Sequence, residues 1–370
     1  MRIVVLLALL ALNVRAEDRK PIFPVGVKPV GPYSPGVVAG GYLYISGQGA
    51  RDANGKLPAT VEEQTKQCLE NIKAIVEAAG LTMEHVVYTH TYLIDIKNYD
   101  AMNRAYAPYF PGAAPARSTM GVTRMPLDTP VEISAVALLD ATKKTAVRLP
   151  ASKSPVPLSS GILTPDRYFI SGILGRDAGT GVTPSSPKAQ IDIALKRLTA
   201  ALRAGRMSPS QLVFLNVYRT ALMPRGELEK AVRAAAPNAA ISLVDVSALP
   251  FGVSVGITAV GAVDPSTRKR FDRAGTPLCA SAGSAIYCAA QGGAGPDQAF
   301  RDVESGIKAL GGSVATAVAN TVYLDDIEHF AAMNKEYGLW FPAQQPTRTT
   351  VQPLAPGNTG VRIAGVAVRQ

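Results

Sequence analysis

Ala101-Met102-Asn103-Arg104-Ala105-Tyr106 and Ala332-Met333-Asn334-Lys335-Glu336-Tyr337 are two versions of one phrase, set 231 positions apart. The same offset carries Tyr92-Leu93 and Asp95-Ile96 onto Tyr323-Leu324 and Asp326-Ile327. It also carries Arg117, in Pro115-Ala116-Arg117-Ser118-Thr119, onto Arg348, in Pro346-Thr347-Arg348-Thr349-Thr350. Nearer the start of each unit, Tyr44-Ile45-Ser46-Gly47-Gln48-Gly49 matches Tyr287-Cys288-Ala289-Ala290-Gln291-Gly292, and Phe169-Ile170-Ser171-Gly172 is a weaker echo between them. A period of about 120 residues is the mark of a triplicated domain and is too long for a short-repeat solenoid.

Within the first unit, Tyr42 to Ser46 reads as a strand, and Thr60 with Glu63 three positions on is a capping box that opens a helix. Cys68, Leu69, Ile72, Val76 and Ala79 recur at helical spacing, and Gly80 ends the helix. Val86 to Leu93 is rich in strand formers, Tyr99 to Phe110 is helical, and Ser118 to Val122 and Val131 to Leu139 read as strands. The expected order is β-β-α-β-α-β-β, an α+β domain. Unit two repeats it, with Ser186 as cap, Pro187 as first helical residue, and Ile191, Leu195, Leu198 and Leu202 facing inward. In unit three Phe300, Val303, Ile307 and Leu310 make the helix face. The expected organisation is domain one over 21–140, a degenerate domain two over 156–264 and a partly degenerate domain three over 274–370. Polar, turn-prone linkers near 141–155 and 264–274 join them.

The first 16 residues read as a separate signal. Arg2, the ten-residue apolar run from Ile3 to Leu12, and Val14-Arg15-Ala16 have the pattern of a secretory leader cleaved after Ala16. The expectation is a secreted or periplasmic protein with no membrane span, since no run reaches about 20 apolar residues. Across all 370 residues, 47% hydrophobic and 18% charged content is that of a folded globular chain. The formal charge of +10 is scattered, and its one tight cluster, Arg268-Lys269-Arg270 with Arg273, falls in a linker. That distribution, without base-stacking aromatic signatures, gives no reason to expect a nucleic-acid partner. His85, His90 and His329 lack metal-ligand spacing, so no metal is expected. Cys68 sits on a helix core face. A two-residue turn at Gly283-Ser284 would set Cys279 opposite Cys288 in a non-hydrogen-bonded pair, about 4.5 Å between Cα atoms, within disulfide reach. A disulfide there and two small residues filling a sheet are equally compatible with the spacing.

Arg117 and Glu132 carry the chemistry. A fixed guanidinium followed fifteen residues later by a carboxylate, in Val131-Glu132-Ile133, suits gripping a small carboxylate-bearing substrate beside an activated water. The motif set Gly31-Pro32-Tyr33-Ser34, Ser46-Gly47-Gln48, Asn103 with Tyr106 and Phe110, Pro115-Ala116-Arg117-Ser118 and Val131-Glu132-Ile133, in that order over residues 21–140, resembles the RidA/YjgF family of imine and enamine deaminases, also labelled L-PSP endoribonucleases. The resemblance implies a chorismate-mutase-like domain that assembles as a trimer with a pocket at each interface. Three tandem copies then imply an intrachain pseudo-trimer in a monomeric chain.

The resemblance further implies a cofactor-independent hydrolysis of reactive 2-imino acids to 2-keto acids and ammonia. Arg117 and Glu132 would be catalytic, and Tyr33, Ser46, Gly47, Asn103, Ser118 and Arg348 would bind substrate. Ile241 and Gly256 stand where Arg117 and Glu132 do in unit one, and Arg362 takes the glutamate position in unit three. Unit one is therefore expected to hold the complete set. Two other functions fit the same residues: an exported binder that captures small carboxylates without turnover, and RNA cleavage, for which the scattered basic charge offers no groove.

Overall fold

The protein is described from a computed structural model over residues 19–149, 157–293, 295–354 and 360–369. The expected leader, residues 1–16, lies outside these residues. Unit one holds strands β1 (Lys20–Ile22), β2 (Gly36–Ala39) and β3 (Tyr42–Gly49), helix α1 (Val61–Ala78), β4 (Val86–Leu93), α2 (Tyr99–Tyr106), β5 (Ala116–Gly121) and β6 (Val131–Leu138). Unit two follows with β7 (Thr145–Val147), β8 (Gly161–Leu163), β9 (Arg167–Leu174), α3 (Pro187–Ala204), β10 (Leu212–Arg219), α4 (Arg225–Ala235), β11 (Ala240–Asp245) and β12 (Val255–Ala262). Unit three has β13 (Arg270–Arg273), β14 (Thr276–Ala282), β15 (Ala285–Gly293), α5 (Pro296–Ala309), β16 (Ala317–Leu324), α6 (Phe330–Trp340), β17 (Thr347–Val351) and β18 (Val361–Val368).

Each unit adds one short strand ahead of the expected pattern, and two of these lie in the stretches that read as linkers. Thr145–Val147 pairs with β8 and Arg270–Arg273 pairs with β14, so the polar composition marks edge strands as well as connections. The capping box at Thr60 and Glu63 forms as read, each side chain reaching the other's backbone N–H. Ser186 accepts from the Ala189 N–H at the head of α3.

The three sheets share one order, β1-β2-β3-β6-β4-β5 in unit one, with β4 and β5 parallel and the other neighbours antiparallel. One face of each sheet lies under its own helices, with Leu43, Leu69, Ile72, Met102 and Ile133 packed together in unit one. The opposite faces meet at a common centre, where Tyr42, Tyr44, Phe169, Phe214, Tyr287 and Val318 form a core drawn from all three units. A second shared cluster gathers Tyr92, Tyr218 and Tyr323. Burial on both faces explains why β12 has no exposed residue, although antiparallel strands commonly alternate. The units form a ring in which β5 packs on β9, β11 on β15 and β17 on β3.

Arg167 occupies the centre of that ring. Strand register places it where Tyr42 and Ala285 stand in the other units. Its guanidinium lies 3.8 Å over the Tyr42 ring and donates to the hydroxyls of Tyr44 (2.8 Å) and Tyr287 (3.1 Å). Asp166 pairs with it at 3.2 Å and accepts the Tyr42 hydroxyl proton. One fully buried cation therefore touches all three units. Cys279 and Cys288 face each other on β14 and β15, 4.1 Å apart at Cα, and are joined by a disulfide. Cys68 is a buried free thiol. His90 lies on β4 with Nε2 2.7 Å from the Tyr88 hydroxyl, and burial pulls its pKa down to about 4.

Removing a buried cation leaves its partners unpaired, so Arg167→Leu is expected to destabilise the chain by roughly 3 kcal/mol. Arg167→Lys should fail to restore it, because an ammonium cannot stack and fork as a guanidinium does. Urea denaturation midpoints of the three proteins check this.

Candidate functional site

Sheet order decides which charges meet. Arg117 sits on the edge strand β5 and Glu132 on β6, with β4 between them. Neighbouring strands are about 4.8 Å apart, so consecutive strands in sequence are here two places apart in space. Edge strand β5 faces unit two, whereas β6 lies beside β3, which faces unit three. Arg117 and Glu132 consequently open onto different interfaces, and unit one does not hold the pair by itself.

Glu132 shares its cleft with Arg348. A cavity of about 350 Å³ between units three and one is lined by Tyr33, Gly47, Gln48, Glu132, Phe330, Arg348 and Thr350, among others. Unit three supplies the guanidinium from β17, held between the rings of Tyr33 (5.1 Å), Tyr337 (4.8 Å) and Phe330 (5.4 Å). Its Nη1 lies 3.8 Å from the Met333 sulfur. The Asn334 Oδ1 and Thr350 Oγ1 atoms are buried without a hydrogen-bond partner. Acceptors left unfilled beside a buried cation are unusual in a packed interface.

The motif residues around this cleft have physical reasons. Ser46-Gly47 falls at a register shift between β3 and β6, a bulge that turns the strand towards the cleft. A side chain on Gly47 would collide with Glu132 Oε1, and a Cβ on Gly31 would stand 2.8 Å from Arg348 Nη2 and 3.0 Å from Asn334 Oδ1. Both glycines thus clear space for the charged groups. Ser34 donates to the Gln345 carbonyl at 2.6 Å, and its N–H donates to the Pro346 carbonyl at 3.1 Å, which clamps the loop leading into Arg348. Ser159 does the same to Ala114 and Pro115 ahead of Arg117. Ser46 is buried behind the cleft, where its Oγ accepts from Gln48 Nε2 at 2.7 Å.

Electrostatics set the two charged groups against water. Burial pushes Glu132 from the usual 4.5 up to about 8, opposed in part by Arg348 and by a hydrogen bond from the Thr350 backbone. Burial also lowers the Arg348 pKa and raises that of Tyr33. The Arg348 cation is thus held in a poorly solvated place, where attraction for an anionic ligand is strongest, beside a Glu132 that stays largely protonated up to about pH 8.

The interface of units one and two differs. Arg117 is 1% exposed, its Nη2 donates to Asn103 Oδ1 at 2.5 Å, and its Cζ lies 4.6 Å from the Tyr106 ring. Ser118, Leu174, Leu249, Gly256 and Ile257 close around a space of about 30 Å³. That holds a water or two, not a keto acid. Among the described residues no carboxylate lines the space beside Arg117, and Gly256 occupies the position of Glu132. Asn103 and Ser118 thus accompany Arg117, while Tyr33, Gly47 and Arg348 accompany Glu132. At the remaining interface Arg362 replaces the glutamate and its Nη1 donates to the Leu243 carbonyl at 3.5 Å, opposite the unit-two strand that carries Ile241. Among the described residues no group of three or more His, Cys, Asp or Glu side chains is arranged to hold a metal ion.

Phe330, Thr350 and the free acceptor of Asn334 escaped the sequence reading. The signal for them was there. Unit three keeps the arginine without the acid while unit one keeps the acid, and a ring of units brings those two halves together.

Two consequences can be measured. Gly47→Ala should displace Glu132 and abolish ligand binding in this cleft while the far-ultraviolet circular dichroism stays native. A raised pKa means the folded protein keeps the Glu132 proton between pH 4.5 and 8, where the unfolded chain has lost it. Wild-type stability from this group is therefore full below 4.5 and lost as pH rises to 8. Glu132→Gln should gain thermal stability over wild type across that window by several degrees, with no further gain above it.

Comparison with known proteins agrees with the repeat. A family model described as Endoribonuclease L-PSP matches residues 25–139, 150–263 and 277–368. A RutC family protein of Saccharolobus solfataricus is 46% identical over 112 residues, 30% of this chain and 89% of the relative. A RutC family protein of Aquifex aeolicus is 43% identical over 125 residues, 33% of this chain and 98% of the relative. Among solved structures, a putative endoribonuclease of Thermotoga maritima is 35% identical, with a TM-score of 0.32, and covers 33% of this chain and 98% of its own.

Proposed function

This chain belongs to the L-PSP endoribonuclease family, also called RidA/YjgF, and on that premise we propose that it hydrolyses 2-imino acids to 2-keto acids and ammonia in the cleft between units three and one. The observation that carries the reading is the convergence of Arg348 and Glu132 on one cavity, with the unpartnered Asn334 Oδ1 buried beside Arg348 against Gly31.

Arg348 holds the substrate carboxylate, and its fork suits two oxygens at once. With the carboxylate so held, the imine carbon comes within reach of Glu132 on the same cavity wall. As water attacks that carbon, Glu132 takes one of its protons, the C=N π electrons move to nitrogen, and a carbinolamine forms. Glu132 returns the proton to nitrogen. Carbinolamine oxygen then gives its own proton to Glu132 as the C–N bond breaks, and the proton passes to the departing ammonia. The sum is iminium plus water to keto acid plus ammonium. A carboxyl whose pKa lies near 8 is suited to both taking and returning a proton at neutral pH. Arg117 has no part in this scheme and serves the packing of units one and two.

Hydrolysis of 2-iminopropanoate generated in situ tests the assignment. Arg348→Ala and Glu132→Gln should each lose the acceleration by 100-fold or more, on the order of one general acid–base or clamp contribution. Arg117→Ala should retain most of it in whatever fraction folds. Loss in Arg117→Ala with retention in Arg348→Ala would overturn the assignment. Binding of keto acids through Arg348 with no hydrolysis by wild type would make the protein a carboxylate-capturing module instead.

A further inference from the structure

The cleft is far larger than its polar end requires. Arg348 and Glu132 suffice to hold the three- or four-carbon core of an imino acid, yet the cavity extends to about 350 Å³. Most of its remaining wall is apolar, from Val27, Val30, Ala74, Ile75, Leu127 and Phe330, with Lys28, Arg51, Asp52 and Asn71 set among them. Lys28 is exposed at this limb, while its other two charged groups are engaged with backbone. Arg51 donates to the carbonyls of Gly55 and Leu127, and Asp52 accepts the N–H groups of Asn54 and Lys56.

Two features show that this limb is kept open. Val27, Val30 and Leu127 are large apolar side chains 39%, 55% and 52% exposed, and all three line one cleft. Apolar groups converging at a pocket mouth are a common mark of a binding surface. Leu127 also holds a left-handed backbone, φ 58°, which a non-glycine residue adopts at some energetic expense. The corresponding residue of unit two, Phe251 with φ 62°, has folded its ring against Tyr99 at 5.4 Å and Arg176 at 4.1 Å beside the sealed Arg117 pocket. The same turn closes one interface and leaves the other open.

We propose that this apolar limb is a side-chain subsite, and that the cleft takes 2-imino acids with long branched or aromatic side chains in preference to 2-iminopropanoate. This rests on the imine-hydrolase reading for its reaction, though the shape of the limb is independent of it. Each methylene carried into an apolar site favours the longer substrate severalfold. Three extra carbons against a cleft partly open to water should give about tenfold or more in kcat/KM.

An amino-acid oxidase supplies the test by making the imines of leucine, phenylalanine and alanine in situ, with acceleration of hydrolysis compared across the three. The leucine- or phenylalanine-derived imine should lead by about tenfold or more. Ala74→Trp, which fills the limb, and Val30→Asp, a change at an exposed position that folding tolerates, should both reduce that ratio. Equal rates, or a lead for the alanine-derived imine, would overturn the inference and leave the hydrolase reading standing. If wild type hydrolyses none of the three, the hydrolase reading fails, and calorimetry with pyruvate and 4-methyl-2-oxopentanoate decides the subsite. Tighter, Arg348-dependent binding of the longer acid upholds it, and equal binding overturns it.

Discussion

A single guanidinium at the meeting point of three sheets is the constraint on which the asymmetry of this protein turns. Three identical subunits would bring three copies of Arg167 to that point, and like charges at such spacing in a poorly solvated core repel strongly. Here Tyr42 and Ala285 take the other two places, so one cation finds aromatic faces, two hydroxyls and a carboxylate without a rival. Units of different sequence permit that arrangement, which identical subunits related by symmetry do not. Joining the units also removes the dependence of assembly on concentration.

Once the interfaces are freed from symmetry they diverge along separate physical lines. One retains a buried cation, a buried carboxyl with a raised pKa and free acceptors around a wide cleft. Another keeps its arginine, with Nη2 donating to Asn103 and Nε buried without a partner, and fills the remaining space largely with aliphatic side chains. The third inverts the charge, with Arg362 in place of the acid. An ionisable group buried without a partner is expensive to keep, and the sealed interface shows the ordinary resolution, in which the neighbour of the charge is adapted to it. The open cleft retains that expense, as the proton transfer proposed for Glu132 requires.

Much of this was legible in the chain. The 231-residue offset disclosed the triplication, the capping box at Thr60 and Glu63 began α1 where expected, and the turn at Gly283-Ser284 set Cys279 opposite Cys288. The motif residues Tyr33, Gly47, Glu132 and Arg348 were all identified. Their grouping was not. Arg117 and Glu132 are close in sequence on successive strands, but the insertion of β4 between β5 and β6 is a matter of topology, which local pattern does not encode. The linkers were misjudged for a related reason: an edge strand such as Arg270–Arg273 is polar and short, and pairing with β14 gives it its structure.

The most direct test of the shared cleft is a crystal structure of the full chain soaked with 2-oxobutanoate, a stable product-like acid. The account predicts its carboxylate on Arg348, with the keto carbon facing Glu132. A carboxylate seated on Arg117 at the interface of units one and two, with the Arg348 cleft unchanged, would contradict it.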